Sequence, residues 1–229
     1  MKKILVTIAL ATLVAASTQA QGFVVFSSST QNVSTNNTGV AQLGSVASGR
    51  IQGAGLYYFA LFASATATSV GGTQTAAFAG TNGVFAFHDP NWTLVAYANS
   101  TATSGRWAST SADVNGANAV PGIAGGGSAQ FVIVGWSIAG VGTVAGGTIA
   151  ALQSALASGG QYGFIGQSLV SGTQTLGNGI LIPTPSVSGG GSPGIPGFTL
   201  GSFMTVPEPG TLALAALGGA SLLMFRRKK

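Results

Sequence analysis

From Gly22 onward no apolar run in this chain lasts long. "GFVVFSSS" (22–29), "GLYYFALFAS" (55–64), "GVFAFHD" (83–89), "WTLVAYANS" (92–100), "AQFVIVGWSIA" (129–139), "QYGFIGQSLV" (161–170) and "GFTLGSFMTV" (197–206) are separated by stretches rich in Gly, Ser, Thr and Asn. Runs of this length, rich in β-branched and aromatic residues and closed by turn formers, are strand signals. The 37 glycines reinforce the point, because glycine disfavours helix interiors and favours turns. In "LYYFALF" the two alternating sets are Leu56, Tyr58, Ala60, Phe62 and Tyr57, Phe59, Leu61. Both are apolar, so this strand is expected to be buried on both faces. The rhythm predicts an all-β body over residues 21–182, a single β-sandwich or jelly-roll-like domain.

Two stretches depart from the rhythm. "TIAALQSALAS" (148–158) has good helix formers, with Ile149, Leu152 and Leu156 at i, i+3 and i+7 and a Gly159-Gly160 stop. It predicts one short crossover helix between two strands. "IPTPSVSGGGSPGIPG" (182–197) holds four of the eight prolines and a Gly/Ser run. Residues 183–205 therefore read as a flexible or extended linker, with a last strand at 197–206.

The formal charge of +5 suggests nucleic acid until its distribution is read. Lys2, Lys3, Glu208 and the four final cations account for all of it. The body keeps Arg50, Arg106, Asp89 and Asp113, which cancel. A phosphate-neutralising patch is missing, so nucleic acid is excluded as a partner. The absence of cysteine excludes disulfides, thiolate metal sites and cysteine nucleophiles.

Enzyme chemistry finds few footholds. Gly140-x-Gly142-x-x-Ala145 after an apolar strand resembles a dinucleotide-binding turn, but no acid follows between Asp113 and Glu208 to hold a ribose. Asp89 in "HDPN" and Asp113 in "DVNGAN" are the body's two carboxylates, and both sit in turn motifs rather than as an acid/base pair. Asp113, Asn115 and Asn118 lack the carboxylates of a calcium loop. His88 is the lone histidine, and no G-x-S-x-G accompanies it. A gathering of His88, Asp89, Asp113 and an aromatic in one pocket would reopen an enzyme. Otherwise the chain is expected to be non-enzymatic, with no cofactor and no metal. Tyr57, Tyr58, Trp92, Tyr97, Trp107, Trp136 and Tyr162 are the stacking faces available to a sugar.

The two ends carry addresses. Lys2-Lys3, an apolar run from Ile4 to Ala16, and small residues at Thr18 and Ala20 make a secretory signal peptide over residues 1–20, cleaved between Ala20 and Gln21. At the other end, Val206-Pro207-Glu208-Pro209-Gly210 precedes an uncharged run over residues 211–225. As a helix that run spans roughly 22 Å, short of the ~30 Å hydrocarbon core. Arg226, Arg227, Lys228 and Lys229 form a basic stop that stays cytoplasmic by the positive-inside rule. The two prolines keep the Glu208 segment out of helix and extended, as a protease requires.

This order of Pro-Glu-Pro, apolar helix and Arg/Lys cluster over residues 206–229 resembles the PEP-CTERM sorting signal of Gram-negative bacteria. Gly210 departs slightly from the usual Ser, Thr or Ala. The resemblance implies recognition by an exosortase, processing near Val206–Pro209, and a link to exopolysaccharide and biofilm matrix. The expected protein is exported and non-enzymatic. It is held by a transient single-pass inner-membrane anchor with a cytoplasmic C-terminus, then delivered to the cell surface or outside. The alternative is a carbohydrate-binding module for exopolysaccharide.

Overall fold

A computed structural model describes residues 21–28, 33–36, 49–71, 84–113, 116–140, 143–144, 146–157, 161–178, 183–189 and 193–204. The expected signal peptide (1–20) and the expected sorting tail (206–229) lie outside the described residues. Twelve strands are seen among them: β1 (Gln21–Val25), β2 (Val33–Asn36), β3 (Gly49–Arg50), β4 (Tyr58–Ser64), β5 (Thr93–Ser100), β6 (Trp107–Ser109), β7 (Ala117–Ala124), β8 (Ser128–Gly140), β9 (Thr143–Val144), β10 (Gln161–Gln167), β11 (Gln174–Thr175) and β12 (Phe198–Met204). One helix, α1 (Ile149–Ala157), lies between β9 and β10. The body is mostly β, as expected. In place of two facing sheets, ten of these strands belong to one curled sheet.

The sheet runs β3-β2-β12-β10-β8-β4-β5-β6, with β9 and β11 also paired to β8. Its pairings are antiparallel except β12 with β2. The curl closes where its two edges meet. Gly105 N–H donates to the Ile51 carbonyl at 2.8 Å, and Val33 N–H donates to the Gly105 carbonyl at 3.2 Å. A separate ribbon of β1 and β7 joins the β6 edge through a Ser27–Ala108 bridge.

Strand β4 is buried on both faces, as its double apolar alternation requires. Phe59 and Leu61 of β4 join Phe131 and Ile133 of β8 in the inner core. Trp107 sits among Phe26, Phe59 and Phe198, with ring centroids 5.3–6.5 Å apart. Ala60, Phe62, Val132, Val134 and Trp136 face the other way into a second core, which Leu152 of α1 helps to cover. Two opposed glycines let neighbouring strands and their side chains pack closely. Gly135 and Gly166 are register partners on β8 and β10. A Cβ on Gly166 would lie 2.5 Å from the Thr199 carbonyl oxygen and 3.1 Å from Leu200 Cα.

Helix α1 forms where expected, but it makes no crossover. Strands β8 and β10 are antiparallel neighbours, so no crossover connection is needed between them. The helix is an excursion folded over the second core. Its start is fixed by Thr148 Oγ1, which accepts from Ala151 N–H at 3.2 Å, and by Tyr97 Oη, which accepts from Ile149 N–H at 3.2 Å. Gly140 continues into the β8–β9 hairpin, where it pairs with Thr143. The glycine motif therefore does not open directly onto a helix N-terminus, as a dinucleotide turn does.

The segment 83–89, expected as a strand, forms a 3-10 turn at Ala86–His88. The buried Gln167 side chain takes the place of a neighbouring strand, its Oε1 accepting from Ala86 N–H at 2.7 Å. Between β10 and β11, β8 is edged by serines. Ser168 Oγ accepts from Ile133 N–H at 2.9 Å, and Ser171 Oγ from Phe131 N–H at 2.8 Å. The Pro/Gly/Ser-rich stretch, expected as a linker, packs onto the body in its described residues. Val187 and Ile195 are fully buried, and β12 follows as a last strand.

Candidate functional site

Strand β12 is the last described element before the C-terminal tail. Leu200 of this strand is fully buried in the inner core, and Phe203 packs into the second. Residues 201–204 pair with β10 and residues 198–201 with β2, so β12 is an interior strand. Its last residue, Met204, pairs with Tyr162, which pairs in turn with Ala139 of β8. Val206, Pro207, Glu208 and Pro209 thus begin two residues beyond a strand locked into the sheet. Those four residues, and Arg226–Lys229, lie outside the described residues, as does Ala20. Gln21, the expected first residue of the exported chain, opens β1 and is exposed.

Away from the tail, a cleft of about 640 Å³ is lined by residues 66–69 and 71 and by Val84 and His88–Asn91. It brings His88 and Asp89 together. Asp113 is not among its lining residues, and neither is any aromatic other than His88. Asp89 is nine-tenths buried, and its oxygens are occupied. Oδ2 accepts from Gly71 N–H at 2.8 Å, and Oδ1 accepts from both Asn91 N–H and Asn91 Nδ2 at 2.9 Å. The Gly71 N–H holds the carboxyl below the usual carboxylate range; burial opposes this, and the two Asn91 donors assist it. A general acid needs the opposite shift. Asp89 is thus the brace between two loops, which Trp92 also ties together by donating from Nε1 to the Ser69 carbonyl at 3.1 Å.

The other candidates disperse. Asp113 closes its own turn, its Oδ1 accepting from Ala117 N–H at 2.8 Å. Asn118 is buried, and its Oδ1 accepts from Ser109 Oγ at 2.9 Å rather than facing an ion. Among the described residues no group of three or more His, Cys, Asp or Glu side chains gathers. All three tryptophans are buried, as is Tyr57. Tyr58 lies against Trp136 at 6.0 Å, and Tyr97 is engaged at the start of α1. Among the described residues no helix is long and apolar enough to cross a membrane.

The tail was legible in the sequence, and so was a last strand before it. The signal was available in "GFTLGSFMTV", whose Phe198, Leu200 and Phe203 already mark a buried strand running into the motif. No curated protein and no solved structure matches the chain. The profile of the PEP-CTERM protein-sorting motif does match, over residues 205–228, and the chain therefore carries this sorting signal at its C-terminus.

Proposed function

We propose that the chain is an exported, non-enzymatic surface or matrix protein whose tail first anchors it in the inner membrane and then serves as an exosortase substrate. The sorting motif at residues 205–228 carries this reading. The N-terminal signal peptide agrees with it, since both ends then place the body outside. The non-enzymatic part is supported by the use of Asp89 as a loop brace and by the separation of Asp113 from the His88 cleft. The sugar-binding alternative is weakened by the burial of every tryptophan.

Deleting Pro207–Pro209 tests the reading in a host that carries an exosortase. The intact chain is processed and reaches the surface, whereas the deletion variant accumulates unprocessed in the inner membrane. Equal processing and equal delivery of both chains would overturn it. A glycan array probed with the body tests the sugar-binding alternative, and binding there would restore it.

A further inference from the structure

We infer that the body stands on the membrane in one orientation, with the sheet end formed by Met204, Tyr162, Ala139 and Val144 facing the lipid surface. The inference rests on the anchoring role proposed for the tail. Its independent basis is the position of β12. Met204 ends an interior strand and shares a row with Tyr162, Ala139 and Val144 through successive register pairs. The chain cannot leave the body earlier without withdrawing Phe203 and Leu200 from their cores. Residues 205–210 separate Met204 from the uncharged run, so full extension gives at most about 25 Å between the sheet end and the bilayer.

The opposite end of β8 lies far from this row. Ser128, at the start of β8, pairs with Thr175 of β11. From Ser128 to Ala139 the strand covers about 35 Å, more than the tether can span. None of the four residues in the row is charged, so approach to the headgroups strips no ion of water. The body's side-chain charges cancel, so an anionic surface exerts little net pull that would turn it over. The short tether is then what sets the orientation.

The absence of cysteine makes the test direct. Tyr162→Cys and Thr175→Cys each give a single labelling site, the first half-buried beside Met204 and the second exposed at the far end. The full chain, labelled with a fluorophore, is reconstituted into vesicles containing a headgroup-quencher lipid. The label at position 162 is expected to be quenched severalfold more than the label at 175. A Gly/Ser insert of about 20 residues after Thr205, adding on the order of 25 Å of reach, is expected to bring the two values together. Equal quenching without the insert, stronger quenching at 175, or a difference that survives the insert would each overturn the orientation. Hydrogen exchange on the unsubstituted chain gives a second reading that needs no variant. Vesicle binding should protect the start of β10 and leave the turn at residues 125–127 unchanged, and the reverse pattern would overturn the inference. Failure of the chain to float with vesicles would instead overturn the anchoring role, which separates the two failures.

Discussion

Ser168 and Ser171 occupy positions where a central strand ordinarily finds another strand. Each hydroxyl accepts from a β8 amide and donates onward, Ser168 to the Leu169 carbonyl and Ser171 to the Gly172 carbonyl, both at 2.8 Å. Removing either hydroxyl leaves a buried N–H of Ile133 or Phe131 without its acceptor, which costs about 1–3 kcal/mol. Ser168→Ala and Ser171→Ala are each expected to lower stability by that amount in urea unfolding, whereas Ser128→Ala at an exposed site changes it little. Asp89 acts on the same scale but depends on pH. Its folded pKa lies below its unfolded value, so its contribution is present above the unfolded value and is lost as pH falls through the folded one. Acidification below about pH 4 should therefore loosen the loops at 66–71 and 84–92, followed through Trp92 fluorescence. Asp89→Asn should be less stable at neutral pH and should lack this acid step.

At the scale of elements, the notch at Gly166 decides how closely β12 approaches. A methyl there meets backbone rather than a flexible side-chain end. Gly166→Ala is expected to destabilise by about 1–3 kcal/mol, the usual range for overpacking, read as a lowered denaturation midpoint. Strands β4, β5, β8, β10 and β12 were legible in the sequence because their apolar residues face two cores and concentrate in short runs between turn formers. Strand β7 was not, since Pro121 and Gly122 interrupt it and its second half is largely exposed. Such residues are tolerated at a sheet edge but argue against a strand when read alone. Residues 83–89 misled for the opposite reason. Phe85 and Phe87 alternate like strand residues, yet they stack on each other at 5.2 Å while Gln167, some eighty positions away, supplies the backbone partner. The curl was equally hidden, because it closes through Val33, Ile51 and Gly105, which no local pattern connects. Of the candidate sites, the tail was fully legible as a linear motif, whereas the dispersal of His88 and Asp113 needed the fold.

For the whole molecule, the question is where an exosortase can cut without destroying what it delivers. Strand β12 contributes Phe198, Leu200 and Phe203 to the two cores. Each such side chain is worth about 1.5–3 kcal/mol when buried, so losing the strand removes an amount comparable to the 5–15 kcal/mol that typically holds a domain together. With no disulfide to compensate, a chain cut before Phe198 should not remain folded. A chain cut after Met204 loses none of these contacts. A harmless cut therefore lies only beyond Met204, and Val206–Pro209 begin two residues after it. Two truncated chains check this directly. Residues 21–204 are expected to unfold in a single cooperative transition at the same temperature as the processed protein. Residues 21–197 are expected to show no such transition and to be degraded rapidly by protease. If 21–197 folds as well as 21–204, β12 belongs to the tail rather than to the body, and processing is free to act upstream of Met204.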